Sequence, residues 1–209
     1  THCISSAASD VYKRQLYNGP ECGASAPDHA HFQACGKEES MQGTYYDSNK
    51  IIDNDNVEIY YENFPFTFIS IRAKNKNIMS LAFHLIYDIL AADSNGKEPM
   101  MNILAWHGLV RSKESLGMHY DSQFKIIADR PYNCVIFLRS KHRPDCYFAK
   151  GDEQILISPA IAEMNGIFSI VREEDMEKLT PEKVYDIYQE VSISKEKLQE
   201  IAERIKAAL

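Results

Sequence analysis

Three observations predict an α+β fold built on a mainly antiparallel sheet. Short strand-like runs come in pairs, a single helical stripe lies between them, and two capped amphipathic helices close the chain. With 209 residues the chain holds one substantial domain or two small ones sharing a core. Its formal net charge of −7 argues against a broad affinity for nucleic acid, so an anionic ligand would need a local basic patch. No apolar run approaches the ~20 residues needed to span a bilayer, and the opening stretch lacks the apolar centre of a secretory signal. Cys3, Cys22, Cys35, Cys134 and Cys146 form no CxxC pair, a pattern that suits reduced thiols in a cytoplasm. Neither a nucleic-acid nor a membrane partner is expected, and the expected location is cytoplasmic.

Residues 1–15 begin at Thr1 and show no apolar period, so they are expected to be a non-native leader that adds little to the core. Residues 18–27 are rich in Gly, Ala, Ser and Pro, a loop by composition that runs into a short strand at 29–34. Residues 36–56 are polar and are expected to be an exposed connection. Val57, Ile59 and Tyr61 alternate with Glu58 and Tyr60, and a second strand over 66–72 completes a hairpin. Ile78, Leu81, Ala82, Leu85, Ile86 and Ile89 then recur at helical spacing, with His84 off the stripe on the surface. Residues 102–106 and 134–138 are apolar enough for buried strands, which makes Trp106 and His107 core and strand-end residues. A long polar loop over 108–122 separates the two strands, and weaker strand candidates follow at 154–157 and 166–170. Thr180 caps a helix with Pro181 in its first position and Val184, Ile187, Tyr188 and Val191 on its inner face. Ser194 caps another, carrying Leu198, Ile201, Ala202 and Ile205.

The chemistry concentrates between Asn18 and Ala34. In an extended strand His29, His31 and Gln33 share one face, while Ala30, Phe32 and Ala34 point into the core. A neutral imidazole attacks phosphorus at pH 7, because its ordinary pKa is ~6.5. Gln33 offers an uncharged donor to a non-bridging oxygen, and the backbone of Gly23 to Ser25 offers further N–H groups to a polyphosphate. The run Arg139-Ser140-Lys141-His142-Arg143 ends an apolar strand and supplies basic side chains for a second phosphate. Two structural histidines and a solvated strand end are the simpler readings of these two motifs. Cys22 and Cys35 bracket the first motif; two buried or loop thiols explain them, and a divalent metal held there is the one cofactor left open.

This segment resembles the active-site signature of the transferase branch of the histidine-triad superfamily: HxHxQ, preceded by Asn18-Gly19 and by Gly23-Ala24-Ser25 with Pro27. Galactose-1-phosphate uridylyltransferase, diadenosine tetraphosphate phosphorylase (ATP adenylyltransferase) and GDP-hexose phosphorylases belong to that branch. Asp28 is one residue more than the uridylyltransferase pattern has between the proline and the first histidine. The resemblance makes His31 the nucleophile, with His29 and Gln33 as its catalytic companions. It places Asn18 and Ser25 at phosphates, beside the backbone of Gly23, and the basic run adds Arg139, Lys141, His142 and Arg143 as phosphate ligands. It also implies a histidine-triad-like, pseudo-symmetric fold of two halves, of which this chain lacks most of the first. Residues 16–56 would end the first half and 57–209 would form the second. The implied activity transfers a nucleoside monophosphate from a dinucleoside polyphosphate or a nucleotide sugar to a phosphate acceptor, through a nucleotidyl-histidine. A non-catalytic nucleotide-binding fragment and a hydrolase of the same superfamily are the alternatives, the second disfavoured by Gln33. The expected partners are the nucleotide substrate and the phosphate acceptor, and a homodimer stays open.

Overall fold

A computed structural model describes residues 13–24, 32–36, 49–62, 65–108 and 130–209 of the chain. The fold is α+β. Among the described residues seven strands make one sheet: β1 (Lys13–Asn18), β2 (Phe32–Gly36), β3 (Asn49–Asp53), β4 (Val57–Glu62), β5 (Phe68–Ala73), β6 (Met101–His107) and β7 (Tyr132–Leu138). Their order is β2-β1-β6-β7-β5-β4-β3, and every neighbouring pair is antiparallel. The helices are α1 (Lys76–Ala92), α2 (Asp145–Phe148), α3 (Ile161–Met164), α4 (Glu173–Met176), α5 (Pro181–Val191) and α6 (Lys195–Ala208).

The sheet buries both faces. On one, Ile59, Ile69, Ile71, Ile136 and Leu138 pack against Ile86 of α1 and Leu198, Ile201 and Ile205 of α6. On the other, Leu104, Val135, Phe137 and Phe68 meet Ile161 and Met164 of α3 and Tyr188 and Val191 of α5. Burying each such side chain favours folding by ~1.5–3 kcal/mol, which is why the central strands are almost continuously apolar. The closing helices begin where their caps predict: Thr180 accepts from the Lys183 N–H and Ser194 from the Lys197 N–H. Among the described residues no helix is long and apolar enough to cross a membrane.

Several expectations change. Lys13, Arg14 and Gln15, placed in the leader, open β1 and pair with β2, and Arg14 and Gln15 pair with β6 as well; Arg14 is buried with its guanidinium over the Trp106 ring at 5.3 Å. Their polar sequence hid this, since the row that buries Arg14 is supplied by strands far along the chain. Residues 1–12 lie outside the described residues, as do 109–122 of the expected loop. Phe32 and Ala34 are exposed instead of buried: among the described residues β2 is the last strand of the sheet and only β1 lies beside Ala34. The stretch 36–56 is not all connection: β3 pairs with β4, and Asn54 Oδ1 closes the turn between them by accepting from the N–H groups of Asn56 and Val57. The inner face of α1 is Met79, Ala82, Phe83, Ile86 and Leu90, rotated from the expected stripe so that Leu81 is 73% exposed. His84 is exposed, as its position predicts. Residues 154–157 and 166–170 are not strands. Their backbone is held one bond at a time, with Ile155 N–H on Cys146 O and Leu156 N–H on the Asp175 carboxylate.

Candidate functional site

The chain leaves β1 at Asn18 and turns at once. Gly19 N–H donates to Met101 O at 2.9 Å, and Cys22 N–H closes the turn on Gly19 O at 3.0 Å. Gly19 runs so close to β6 that a Cβ would stand 2.9 Å from Met101 O. Gly23 adopts φ +78°, and a Cβ there would meet Pro159 O at 2.3 Å and Ala160 Cα at 2.8 Å. Both glycines are therefore set by backbone approach.

Beneath this turn lies a buried polar network. Asn102 of β6 is fully buried; its Nδ2 donates to Asn18 Oδ1 at 2.7 Å and to Cys22 O at 2.8 Å. Its Oδ1 accepts from Arg139 Nη1 at 2.6 Å. Arg139, 3% exposed at the end of β7, also donates to the carbonyls of Pro159, Val191, Lys141 and His142. Asn18 Oδ1 accepts a further bond from Ile161 N–H at 2.7 Å, so it caps the first turn of α3. Burial lowers the Arg139 pKa to about 10, which still leaves the guanidinium charged at neutral pH. Burial pushes the Cys22 thiol up to about 12, so it stays protonated. Among the described residues no group of His, Cys, Asp and Glu is arranged to hold a metal ion.

The expected basic patch divides by task. Arg139, expected at a phosphate, serves here as an internal strut whose donors all go to protein oxygens. Lys141 pairs with Asp145 and Glu190, and Glu190 also accepts the Asp145 N–H. Arg143 stacks over Tyr147 with 4.4 Å to the ring centroid and donates from Nε to Ser158 Oγ at 2.8 Å. Its two terminal nitrogens make no hydrogen bond to the described residues. His142 faces the turn, its Nδ1 accepting the Gly23 N–H at 3.2 Å.

Burial, and then the Arg143 charge, hold His142 below the ordinary imidazole value. The folded protein thus binds this proton less readily than the unfolded chain. The associated stability is complete above about pH 6.5 and is lost as the pH falls through the depressed folded value. Thermal melts from about pH 7.5 to 5 are expected to show a falling Tm, with less of a fall in His142→Asn, whose side-chain oxygen accepts without titrating. Identical profiles for the two proteins would show that this imidazole is not the acceptor that matters.

Gln33 lies on exposed β2 opposite Leu16, and therefore on the same face of the sheet as Asn18. His29, His31 and Ser25 lie outside the described residues. Trp106 is buried in the second core, and His107 meets Tyr132 edge-on at the strand end, as expected. Residues 5–36 match a family described as a domain of unknown function (DUF4922). No curated protein and no solved structure matches the chain. The matched stretch takes in β1, the glycine turn and β2, which is where the polar network converges. The sequence places Asn102 in a buried strand but does not mark it, or the backbone of Pro159 and Ile161, as partners of Asn18 and Arg139. The available signal was one amide inside an apolar strand, since a fully buried amide needs partners.

Proposed function

We propose that this chain carries the nucleotidyl-transfer site of a histidine-triad-like transferase, a phosphorylase acting on a dinucleoside polyphosphate or a nucleotide sugar. The observation that carries the proposal is the sequence spacing His29-Ala30-His31-Phe32-Gln33, whose last two residues open β2 and which follows the glycine turn in sequence. A neutral His31 nitrogen attacks the phosphorus next to the nucleoside. A P–N bond forms, the P–O bond to the leaving phosphate breaks, and the leaving oxygen keeps the electron pair. Gln33 donates to a non-bridging oxygen as negative charge shifts onto it. An acceptor phosphate oxygen then attacks the same phosphorus and expels His31. A carboxamide cannot act as a base near neutral pH, so water gains no help from Gln33, whereas a phosphate acceptor is already anionic. The terminal nitrogens of Arg143, next in sequence to the His142 that meets the turn, suit that acceptor.

Incubation with a nucleotide labelled in its α-phosphate is expected to give an acid-labile, base-stable adduct that is absent in His31→Ala. Millimolar inorganic phosphate should discharge it much faster than buffer alone. Labelling of His31→Ala at the wild-type level would move the nucleophile elsewhere, His29 first. Discharge at one rate with and without phosphate, releasing the mononucleotide, would make the protein a hydrolase.

A further inference from the structure

We propose that Asn102, backed by Arg139, is a positioning residue that fixes the Asn18 side chain with its oxygen inward and its Nδ2 group presented to an anionic oxygen. The proposal rests on the reading of the site as one that takes a phosphate, and adds the residues that orient a donor toward it.

The orientation follows from partners whose polarity is fixed. Cys22 O only accepts, so the Asn102 atom 2.8 Å from it is the Nδ2 donor. Arg139 Nη1 only donates, so the Asn102 atom 2.6 Å from it is the Oδ1 acceptor. The two contacts agree and leave Asn102 one way round. Its Nδ2 also reaches Asn18, and the Ile161 N–H, again only a donor, reaches the same Asn18 atom. That atom is therefore Oδ1, with both of its lone pairs taken. Asn18 Nδ2, by exclusion, makes no hydrogen bond to the described residues. Arg139 makes the arrangement rigid. Its guanidinium is held on five oxygens, from Asn102, Pro159, Val191, Lys141 and His142, so the acceptor end of Asn102 has no freedom to turn over. A chain of single hydrogen bonds thus runs from a buried cation to a donor at the mouth of the glycine turn.

Asn102→Asp separates positioning from bulk stability. The carboxylate still accepts from Arg139, now as an ion pair, but it has no donor for Asn18 Oδ1 or Cys22 O. The Asn18 amide is then expected to turn over and give its Nδ2 inward. The full chain, labelled with nitrogen-15, is titrated with inorganic phosphate while the Asn18 side-chain amide signal is followed. In the wild type that signal should shift saturably. In Asn102→Asp, titrated well below its own melting temperature, phosphate should bind at least roughly tenfold more weakly, over and above the lower Tm that the unpaired Cys22 carbonyl brings. A structural role alone would lower Tm and leave the Asn18 response in place. No response of Asn18 in the wild type, or an undiminished response in Asn102→Asp, overturns the proposal. Should Asn102→Asp fail to fold, Asn18→Asp is the second arm. It keeps an acceptor for Ile161 N–H and Asn102 Nδ2 and replaces only the outward donor, so it should fold and lose phosphate binding; retained binding overturns the proposal. An intact titration with no label on His31 would sink the nucleotidyl-transfer reading alone.

Discussion

Replacing Arg139 by alanine is expected to destabilise the protein by ~3–5 kcal/mol, the usual cost of removing one member of a buried charged network. The truncation strands five acceptors at once: Asn102 Oδ1 and the carbonyls of Pro159, Val191, Lys141 and His142. The individual penalties do not add, because loosened carbonyls find water or one another. Even so, the loss is a large share of the ~5–15 kcal/mol by which a domain of this kind is held. For a domain this long it corresponds to a fall in Tm of roughly 6–20 °C. Arg139→Lys should recover only part of it, since an ammonium keeps the charge but cannot fork among oxygens on several sides. A Tm for Arg139→Ala within a degree or two of the wild type would mean that water replaces the guanidinium, and the network would lose its structural role.

Gly23→Ala is the second large effect, expected at about 2–5 kcal/mol from the left-handed backbone and the steric conflict together. The conflict has no flexible side chain to absorb it: the new Cβ would meet Pro159 O at 2.3 Å and the Pro159 carbonyl carbon at 2.7 Å. Gly96 provides the internal control. Its φ is +77°, but a Cβ there meets nothing within 4 Å. Gly96→Ala should therefore cost only the ~1 kcal/mol of the backbone conformation. Urea midpoints of the two variants separate the contributions. Equal losses at the two positions would mean that the turn does not press on Pro159 and can move away from it.

These contacts also show what was legible in the sequence. Thr180 with Pro181, and Ser194, announced two helix starts because a cap is a local device, complete within four residues. The inner faces of those helices were legible for the same reason. Leu81 misled because a helix this apolar offers more than one plausible stripe, and the choice between them is made by β5 and α6. Arg139 announced a charge but not its use. The carbonyls that hold it come from residues 141, 142, 159 and 191, and no spacing in the sequence marks a carbonyl as available. Arg14 is the mirror case, a polar residue buried because Trp106 of β6 and Cys35 of β2 flank it. Local propensity was readable; burial produced by distant strands was not.

The position of β1 has a consequence for how the protein is made. β1 precedes the other described strands, yet it is bonded on one side to β6 (Met101–His107), and its turn meets Asn102, His142 and Pro159. During synthesis the glycine turn has its own Cys22 to Gly19 bond at once, meets Met101 and Asn102 much later, and gains its last described bond only when the chain has passed Ile161, whose N–H reaches Asn18. The hairpin of β4 and β5, by contrast, forms from near neighbours and can fold early, because short loops close at little entropic cost. The motif is therefore encoded well ahead of the residues that shape the candidate site, and a chain halted before residue 159 would carry the one without the other.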